Sequence, residues 1–341
     1  MKAIDIVLPV YNEEVILTTF HESLARVINK LTDKYRLDVT YVLDRSTDNS
    51  IGVLRQIHEQ NPNVTVLHLS RRFGHQMSLV AGIDHSQADA LIMMDCDLQH
   101  PPELIPEMLR QFEEGYDIVQ ALRQYDVRNG YLKRSFSRAF YRVQNALSPI
   151  EIEPGSADFR LITRKVIDVF QKSIREHNQF LRGLFQWVGF RTAYVTFVCP
   201  PRAGGTSKYG LSRSVLFSIA GITSFSKVPL RIATFLGFGF SALGVLYGVW
   251  LIIMYFWVGS FPPGYASMIV ALLAMGGLQL VVLGILGEYL GSVFDEVKRR
   301  PLYIVSESIS RQEDGVDDLS ASLITQSQAV VDDPVAVRRD K

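Results

Sequence analysis

The sequence predicts an α/β domain with a doubly wound, mostly parallel sheet, followed by a two-helix membrane hairpin. Between residues 3 and 198, short runs rich in Val and Ile alternate with amphipathic stretches, which is typical of strands alternating with helices in such a sheet. Residues 232–258 and 264–287 contain no charged side chain, and each run exceeds the ~20 apolar residues that cross a bilayer core. Two buried core helices are the less favoured interpretation of these runs, because only a short loop joins them.

The α/β prediction rests on five apolar runs and on the stretches between them. The runs IDIVLPV, VTYVLD, VTVLHLS, ALIMMD and DIVQAL are rich in β-branched residues and predict strands. The intervening stretches predict four helices, at residues 13–33, 48–60, 75–86 and 102–114. Asp48 is a good N-cap residue, and Pro101 and Pro102 suit the first turn of a helix.

Composition divides the rest of the chain. Lys227 and Arg231 precede the first uncharged run and residues 298–300 are basic after the second, whereas the connecting loop has no basic residue; the positive-inside rule therefore places both chain ends in the cytoplasm. From Ser306 onward the sequence is polar and lacks aromatic residues, and we predict a disordered tail. The predicted segments are an α/β domain at 1–210 with an amphipathic interfacial helix at about 128–147, a juxtamembrane amphipathic helix at 211–227, membrane helices at 228–258 and 264–291, and a basic segment with the tail at 292–341.

Charge and cysteine content argue against several classes of protein. The 35 basic residues balance 35 acidic ones, so no net field favours a nucleic acid as partner. The two cysteines, Cys96 and Cys199, are too few for a disulfide framework and lack the spacing of a zinc site, which fits a reducing compartment. The apolar run at the N-terminus is shorter than the core of a signal peptide, so we expect the α/β domain to stay in the cytoplasm.

The strongest local motif is MMDCDLQHPPE, in which Asp95 and Asp97 follow a predicted strand and precede a helix that begins with proline. Both carboxylates would emerge at the carboxyl edge of the sheet, where open α/β sheets bind ligands. Two carboxylates one residue apart can hold Mg²⁺ or Mn²⁺, and such an ion commonly bridges to substrate phosphates. A solvated turn with helix caps explains most isolated Asp-x-Asp sequences, so the motif needs support from the other strand ends.

Polar residues also follow the first two predicted strands. They are Pro9, Tyr11, Asn12 and Glu13 after the first, and Asp44, Ser46, Thr47 and Asp48 after the second. The segments LPVYNEE, LDRSTDNS, SRRFGHQ and DCDLQHPPE together resemble the family 2 glycosyltransferases of the GT-A fold, in the order and at the strand ends that this family uses. The resemblance covers about residues 3–210.

This resemblance implies roles for individual residues. The nucleotide-sugar pocket of the family falls on Pro9, Tyr11, Glu13, Asp44, Ser46 and Asp95. Its metal-binding motif falls on Asp95 and Asp97, and Gln99 would complete the metal or phosphate shell. Two departures affect the side of the nucleotide base: Arg45 stands where the family usually has glycine, and Leu43 where another Asp is frequent.

The segment GSADFRLITR places Asp158 where the family has an active-site carboxylate next to the acceptor. Asp158 and Asp97 are therefore the predicted catalytic residues. An alcohol acceptor would need such a carboxylate as a general base, but a phosphate monoester has its second pKa near 6 and is largely dianionic at neutral pH. Two roles for Asp158 stay open, general base or positioning of the sugar.

Two amphipathic stretches and a basic loop point to a lipid phosphate as the acceptor. Residues 128–147 mix basic and aromatic side chains, as interfacial helices do, although an ordinary surface helix can show the same pattern. A second stretch, LSRSVLFSIAGITSFSK, leads into the first membrane run, and the glycine-rich loop RAGGTSKYG lies between them. Arginine and lysine in such places suit the binding of phosphate. The predicted contacts to the acceptor phosphate are Arg134, Arg138, Arg202, Ser207 and Lys208.

This combination resembles the polyprenyl-phosphate glycosyltransferases, the branch that includes dolichol-phosphate mannose synthase and the bacterial GtrB-type glucosyltransferases. The resemblance implies UDP-glucose as donor, undecaprenyl phosphate or a relative as acceptor, inversion at the anomeric carbon, and Mg²⁺ or Mn²⁺ as cofactor. It also implies an integral protein of the bacterial cytoplasmic membrane, and a homo-oligomer such as a tetramer.

Two other functions remain as alternatives. A processive polysaccharide synthase shares the core and the membrane spans but holds its polymer with a Gln-x-x-Arg-Trp segment. This chain reads QFLRG from Gln179, with Gly183 in place of the tryptophan. A membrane-bound sensor that binds nucleotides without catalysis is the other alternative, and an assay of sugar transfer into extractable lipid would separate all three.

Overall fold

The computed structural model describes residues 1–124, 153, 155–198, 228–258 and 264–310. Two predicted helices, the interfacial helix at 128–147 and the juxtamembrane helix at 211–227, lie outside these described residues. The prediction of an α/β domain with a mostly parallel sheet and two long apolar helices is confirmed.

One eight-stranded sheet forms the centre of the α/β domain. Its strand order is β7-β5-β6-β4-β1-β2-β3-β8. The four strands β4-β1-β2-β3 are parallel, whereas β6 and β8 run antiparallel to their neighbours. The strands are β1 (Lys2–Val10), β2 (Tyr35–Leu43), β3 (Val64–Leu69), β4 (Ala90–Met93), β5 (Ile118–Gln124), β6 (Ser156–Thr163), β7 (Thr192–Val198) and β8 (Val305–Ile309).

Helices cover both faces of this sheet, and the four helices predicted between the strands are present with shorter bounds. The helices of the α/β domain are α1 (Leu17–Ile28), α2 (Ser50–Gln60), α3 (His75–His85), α4 (Ile105–Glu113) after a 3-10 turn at Pro102–Leu104, α5 (Arg164–Lys172) and α6 (Leu181–Trp187). Side chains of β1 alternate between two apolar clusters: Ile6 packs with α1, α2 and α4, and Val7 packs with α3 and α5. Successive strand residues point to opposite faces, so a strand buried on both sides is apolar throughout.

Helix α3 lies unusually close to β1. A Cβ atom built on Gly82 would stand 2.1 Å from the Cγ1 atom of Val7. Two carbon atoms that are not bonded cannot approach each other this closely, so no other residue fits here without a shift. Glycine at this position therefore lets α3 approach the sheet. The consequence for the site is that the first residue of α3, His75, is held firmly above the carboxyl edge.

Two apolar helices follow the α/β domain, α7 (Val228–Val258) and α8 (Tyr265–Lys298). By length and composition both could cross a membrane, with mean hydropathy of 2.0 and 2.5, and neither apolar stretch is buried within the protein. Helix α8 continues beyond the predicted end at 291, because charged residues such as Glu296 extend it past the apolar run. It ends at Lys298; the next residue, Arg299, has a left-handed φ of +47°, and Pro301 follows.

The predicted disorder from Ser306 onward is wrong for the first residues of that stretch. Val305–Ile309 forms β8, which pairs antiparallel with β3 at the edge of the sheet. The alternation of Val305, Glu307 and Ile309 with two serines fits an edge strand with one half-buried face. The α/β sheet therefore includes strands that precede the membrane hairpin in the sequence and one strand that follows it. The remaining tail, 311–341, lies outside the described residues.

Candidate active site

The strand order brings the predicted donor residues to one edge. Strand β1 lies between β2 and β4, with all three parallel, so Tyr11, Asp44 and Asp95 follow adjacent strands at their carboxyl ends. The order of the strands reverses between β1 and β4, and such a switch point opens a crevice where α/β proteins bind ligands.

Asp44 holds two loops together. Its buried carboxylate accepts hydrogen bonds from the backbone amides of Phe73 and Gly74, at 2.8 Å each, and from that of Arg45 at 3.1 Å. A buried carboxylate is stable when such donors surround it. Asp44 is a predicted contact of the nucleotide. In the structure its carboxylate fixes the loop between β3 and α3.

The loops after β1 and β2 are bonded directly to each other. Asn12 has a left-handed φ of +54°. Its backbone amide donates to Ser46 Oγ at 3.0 Å, and its side-chain oxygen Oδ1 accepts a hydrogen bond from the backbone amide of Thr47 at 2.8 Å. The amide of Glu13 donates to Ser50 Oγ at 3.2 Å. These bonds fix Ser46 next to the end of β1, where the sequence also places Pro9 and Tyr11.

The Asp-x-Asp motif forms a tight turn after β4. Leu98 has a φ of +62°, and the amide of Gln99 donates to Asp97 Oδ1 at 3.0 Å. The amide of Asp95 donates to Nδ1 of His100, which is buried against Phe159. This turn presents Asp95 toward the centre of the crevice and buries Gln99, which is only 8% exposed.

A partly buried ionic cluster, centred on the buried side chains of Asp158 and Arg160, connects the end of β4 to β6. Nε2 of His75 lies 3.5 Å from Asp95 Oδ1 and 3.7 Å from Asp158 Oδ2. The guanidinium of Arg182 forms two hydrogen bonds to the Asp158 carboxylate, at 2.9 and 2.8 Å, and Arg160 adds one at 3.1 Å. The predicted metal ligand Asp95 and the predicted acceptor-side carboxylate Asp158 therefore face the same histidine. We call His75, Asp95, Asp158, Arg160 and Arg182 the bridging cluster.

The electrostatics of the bridging cluster favour charged side chains. Burial by itself would raise the pKa of Asp158, but the nearby cationic side chains of Arg182, His75 and Arg160 together hold it well below its usual range. Burial by itself would lower the pKa of His75, but the carboxylates of Asp95 and Asp158 raise it to about 9. At neutral pH Asp158 is an ionised carboxylate and a weak proton acceptor.

The residues after β4 fit a divalent cation of the Mg²⁺ type. Asp95 Oδ1 is buried without a hydrogen-bond partner among the described residues, and an orphaned carboxylate oxygen is a ready ligand for a hard cation. Within the described ranges no group of three or more His, Cys, Asp or Glu side chains is arranged to hold a metal. A site with one or two carboxylates, completed by substrate phosphates and water, is the usual arrangement for Mg²⁺.

Sequence reasoning missed three members of the site. His75 stands in the sequence prediction only within the segment SRRFGHQ and Arg160 only within GSADFRLITR, and neither residue has a predicted role there. Arg182 was considered only for a comparison with Gln-x-x-Arg-Trp. A signal was available for Arg160, because an arginine in a strand with otherwise buried residues needs a nearby carboxylate. The contact of Arg182 joins segments far apart in sequence and no local pattern indicates it.

The predicted acceptor contacts cannot be placed. Arg134, Arg138, Arg202, Ser207 and Lys208 all lie outside the described residues. Near Asp158 and Arg182 the structure places Gln179, whose amide atoms are buried with no partner in the described part of the chain.

Comparison with known proteins assigns the family. The family model for glycosyl transferase family 2 matches residues 5–170, and the model of the GtrB C-terminal hairpin matches residues 228–293. A glycosyltransferase of unassigned specificity, YkcC of Bacillus subtilis (strain 168), is 40% identical over 89% of this chain and 93% of its own length. The chain belongs to glycosyl transferase family 2. Within this family, the bactoprenol glucosyl transferase of Shigella phage SfII is 37% identical over 89% of this chain and 98% of its own length.

Solved structures show more distant likenesses to this family 2 chain. Glucosyl-3-phosphoglycerate synthase from Mycobacterium tuberculosis, solved with Mn²⁺, UDP and phosphoglyceric acid, is 18% identical with a TM-score of 0.42, covering 65% of this chain and 76% of that chain. The mannosyltransferase PcManGT from Pyrobaculum calidifontis, solved with GDP-Man and Mn²⁺, is 15% identical with a TM-score of 0.43, covering 96% and 80%. The assignment to family 2 rests on the sequence matches, and the membrane association on the GtrB hairpin and its two apolar helices.

Proposed function

We propose that this family 2 enzyme transfers glucose from UDP-glucose to a polyprenyl phosphate at the cytoplasmic face of the bacterial cytoplasmic membrane. The observation that carries the proposal is the bridging cluster, in which His75 faces both Asp95 and Asp158. It joins the side of the crevice suited to a metal-bound diphosphate with the side suited to an acceptor. The similarity to bactoprenol glucosyl transferases over most of the chain supports the choice of sugar and lipid.

The ionised state of Asp158 supports a phosphate acceptor. Both carboxylate oxygens are engaged by guanidinium groups, which keeps the proton affinity of Asp158 low. A lipid phosphate needs no general base, because it is largely dianionic at neutral pH. We therefore assign Asp158 to positioning: it orients Arg182 and His75 at the acceptor side, rather than removing a proton.

In the proposed reaction an oxygen of the lipid phosphate attacks the anomeric carbon of glucose. The bond between that carbon and the UDP oxygen breaks, and UDP leaves with the bonding electrons, which inverts the anomeric centre. Mg²⁺ or Mn²⁺ held by Asp95, Asp97 and Gln99 would neutralise charge on the departing diphosphate. Pro9, Tyr11, Glu13 and Ser46 would hold the nucleotide, and His75 would add positive charge beside the phosphates.

The membrane hairpin supports an acceptor in the bilayer. Basic residues lie near the start of α7 and at the end of α8, namely Arg231 and Lys298. By the positive-inside rule these helix ends, and with them the α/β domain and both chain ends, would face the cytoplasm. The basic loop with Arg202, Ser207 and Lys208 precedes α7 and would grip the lipid phosphate, together with Arg134 and Arg138. Association through the membrane helices into a homo-oligomer is also expected.

The test uses membranes, radiolabelled UDP-glucose and undecaprenyl phosphate, with and without EDTA. Label should appear in organic-extractable lipid and should be lost with EDTA. Label in an insoluble polymer would instead indicate a polysaccharide synthase, and no incorporation with any donor of a nucleotide-sugar panel would indicate a sensor.

Metal binding is tested at the Asp-x-Asp turn. We expect Asp95→Asn and Asp97→Asn to abolish transfer without unfolding the protein, because each removes a carboxylate needed beside the cation. Asp33→Asn is the matched control, since Asp33 is exposed just before β2 begins, at the opposite edge of the sheet. Near-normal turnover in either site variant, or full activity in excess EDTA, would refute the metal assignment.

A further inference from the structure

The chain returns from the membrane to the α/β domain, where it contacts the first residue of the loop that leads into α3 and the C-terminal end of α3 itself. We call residues 302–309, which follow α8 and include β8, the return segment. The carbonyl of Ile304 accepts the amide of Ser70, at 2.9 Å, just before the loop that leads into α3. The hydroxyl of Tyr303 donates to Asp84, at 2.9 Å, near the C-terminal end of α3.

The loop that the return segment contacts is part of the active site. It runs from Ser70 to Gly74 and gives two amide hydrogen bonds to Asp44. Gly74 has a φ of +94°, which glycine adopts without strain, and His75 of the bridging cluster follows it. A shift of this loop would move both the donor loop after β2 and the histidine that faces Asp95.

The return segment is itself firmly attached. Strand β8 pairs with β3 from Val66 to Leu69, and Ser306 Oγ donates to the carbonyl of His68 at 2.9 Å. The carboxylate of Glu307 pairs with the Arg55 guanidinium at 2.8 Å. The side chain of Leu302 is buried in the cluster beneath α3. These contacts attach the return segment to β3, to α2 and to the core beneath α3 at the same time. Together they fix the position of the Ile304 carbonyl that binds Ser70 better than any one contact could.

The return segment is also continuous with the membrane. Helix α8 ends at Lys298, and its last turn is bonded to the α/β domain where the amide of His177 donates to Glu296 at 2.6 Å. The ring of His177 lies 2.7 Å from the carbonyl of Arg300. A short connection, residues 299–304, therefore links the end of α8 to the loop before α3, and it is held to the α/β domain by the contacts of His177.

A cavity of about 350 Å³ lies where the return segment meets the donor loops. The polar side chains that line it come from three strand ends, and they are Arg45, Ser46, Asp48, His68, Ser70 and Ser306. Ser306 belongs to the return segment, whereas Ser46 is a predicted contact of the nucleotide. The return segment thus forms one wall beside the donor side of the site.

We propose that the return segment is a positioning element of the donor site, which holds the loop from Ser70 to Gly74 in the geometry that binds the nucleotide sugar. This inference rests on the proposed function, because it assumes a nucleotide-sugar donor. It makes the part of the chain after the membrane hairpin a requirement for donor binding, in addition to its role as an anchor.

The first test compares two shortened chains that both keep the hairpin, one ending at Arg300 and one at Ser310. We expect the chain ending at Ser310 to behave like the full chain. The chain ending at Arg300 should show a KM for UDP-glucose raised about tenfold or more, the effect of losing one or two ordinary hydrogen bonds, with the KM for lipid phosphate little changed. A synthetic peptide of residues 302–310 should restore the donor KM in a saturable way, and a scrambled peptide should not.

A milder pair of variants guards against simple misfolding. Tyr303→Phe removes the hydroxyl that contacts Asp84. Tyr35→Phe is the control: it removes a similar hydroxyl bond to Glu113 where β2 begins, at the end of the strand away from the donor loops. Both should lower the melting temperature slightly, but only Tyr303→Phe should raise the donor KM.

The outcomes separate the two proposals. If the full chain transfers glucose and the shortened chain keeps a normal donor KM, or if both KM values rise equally, the positioning role is refuted while the proposed function stands. Equal behaviour of Tyr303→Phe and Tyr35→Phe would also refute it. A full chain that transfers no sugar would refute the proposed function itself.

Discussion

The substitution Arg182→Met tests the electrostatic basis of the bridging cluster. It removes a guanidinium that makes two hydrogen bonds to Asp158 while keeping an apolar stem of similar length. Asp158 is only 7% exposed, and removal of one partner from a buried ion pair costs about 3 to 5 kcal/mol. Because Arg160 remains at 3.1 Å, we expect the lower end of that range, about 3 kcal/mol, or roughly 6 to 12 °C in melting temperature for a domain of this size.

The dependence on pH gives the sharper test. The folded pKa of Asp158 lies below its unfolded value, so its ionisation contributes stability above the unfolded pKa of about 3.9, and this contribution is lost as the pH falls through the folded value. In Arg182→Met that contribution is reduced. The difference in melting temperature between the wild type and the variant should therefore stay nearly constant from pH 7.5 down to about 4, and it should shrink as the pH is lowered below 4.

The measurement is thermal unfolding in detergent, followed by near-UV circular dichroism at several pH values. Arg110→Met is the control, because Arg110 forms ion pairs with Glu107 and Glu114 that lie on the exposed side of α4 and exposed pairs contribute little. An equal shift in both variants, or a shift in Arg182→Met that does not shrink as the pH falls below 4, would refute the buried-pair argument.

Three further predictions concern other parts of the chain. Asp5→Asn should stabilise the protein by about 1 to 3 kcal/mol at pH 8 and not at pH 4. The reason is that burial raises the pKa of Asp5 to about 6, so the stability linked to its protonated form is lost as the pH rises through that value. Measurements of unfolding at the two pH values test this. Lys208→Ala and Arg202→Ala should raise the KM for lipid phosphate about tenfold or more and leave the KM for UDP-glucose nearly unchanged, because a charge-assisted contact is lost; kinetics with each substrate varied separately would expose an effect on the donor instead. A cysteine introduced at Ser260 should react with an impermeant reagent from outside while tags at both chain ends stay protected, and opposite accessibility of the two ends would contradict the hairpin.

The sequence predicted the parts of the fold that have a regular period. Strand Lys2–Val10 is buried on both faces over most of its length and is largely apolar there, with Asp5 as the exception, and the helices between the strands follow their apolar spacing. The membrane spans were predicted from the length of the uncharged runs. Strand β8 was missed because five residues with alternating serines resemble a polar tail until a sheet edge is available beside them.

The candidate site was predictable only in part. Asp95 and Asp158 stand in short motifs at strand ends, where local sequence indicates their position. The neighbours that set their chemistry come from elsewhere: His75 from the loop that Asp44 holds and Arg182 from a segment after α5. Such contacts depend on the packing of α3 and α6 on the sheet, and no period in the sequence encodes them.

The charges of the bridging cluster indicate which substrates the site can accommodate. Asp95 and Asp158 are balanced by His75, Arg160 and Arg182, and Asp97 adds one further carboxylate nearby. Bringing a diphosphate and a phosphate into a largely buried crevice would be costly unless positive charge accompanied them. In the proposed reaction a divalent cation at the Asp-x-Asp turn would supply that charge on the donor side, and the two arginines would supply it on the acceptor side. Those arginines also hold Asp158 ionised, which makes it too weak a base to activate a neutral alcohol, so the same residues that suit a phosphate disfavour an alcohol.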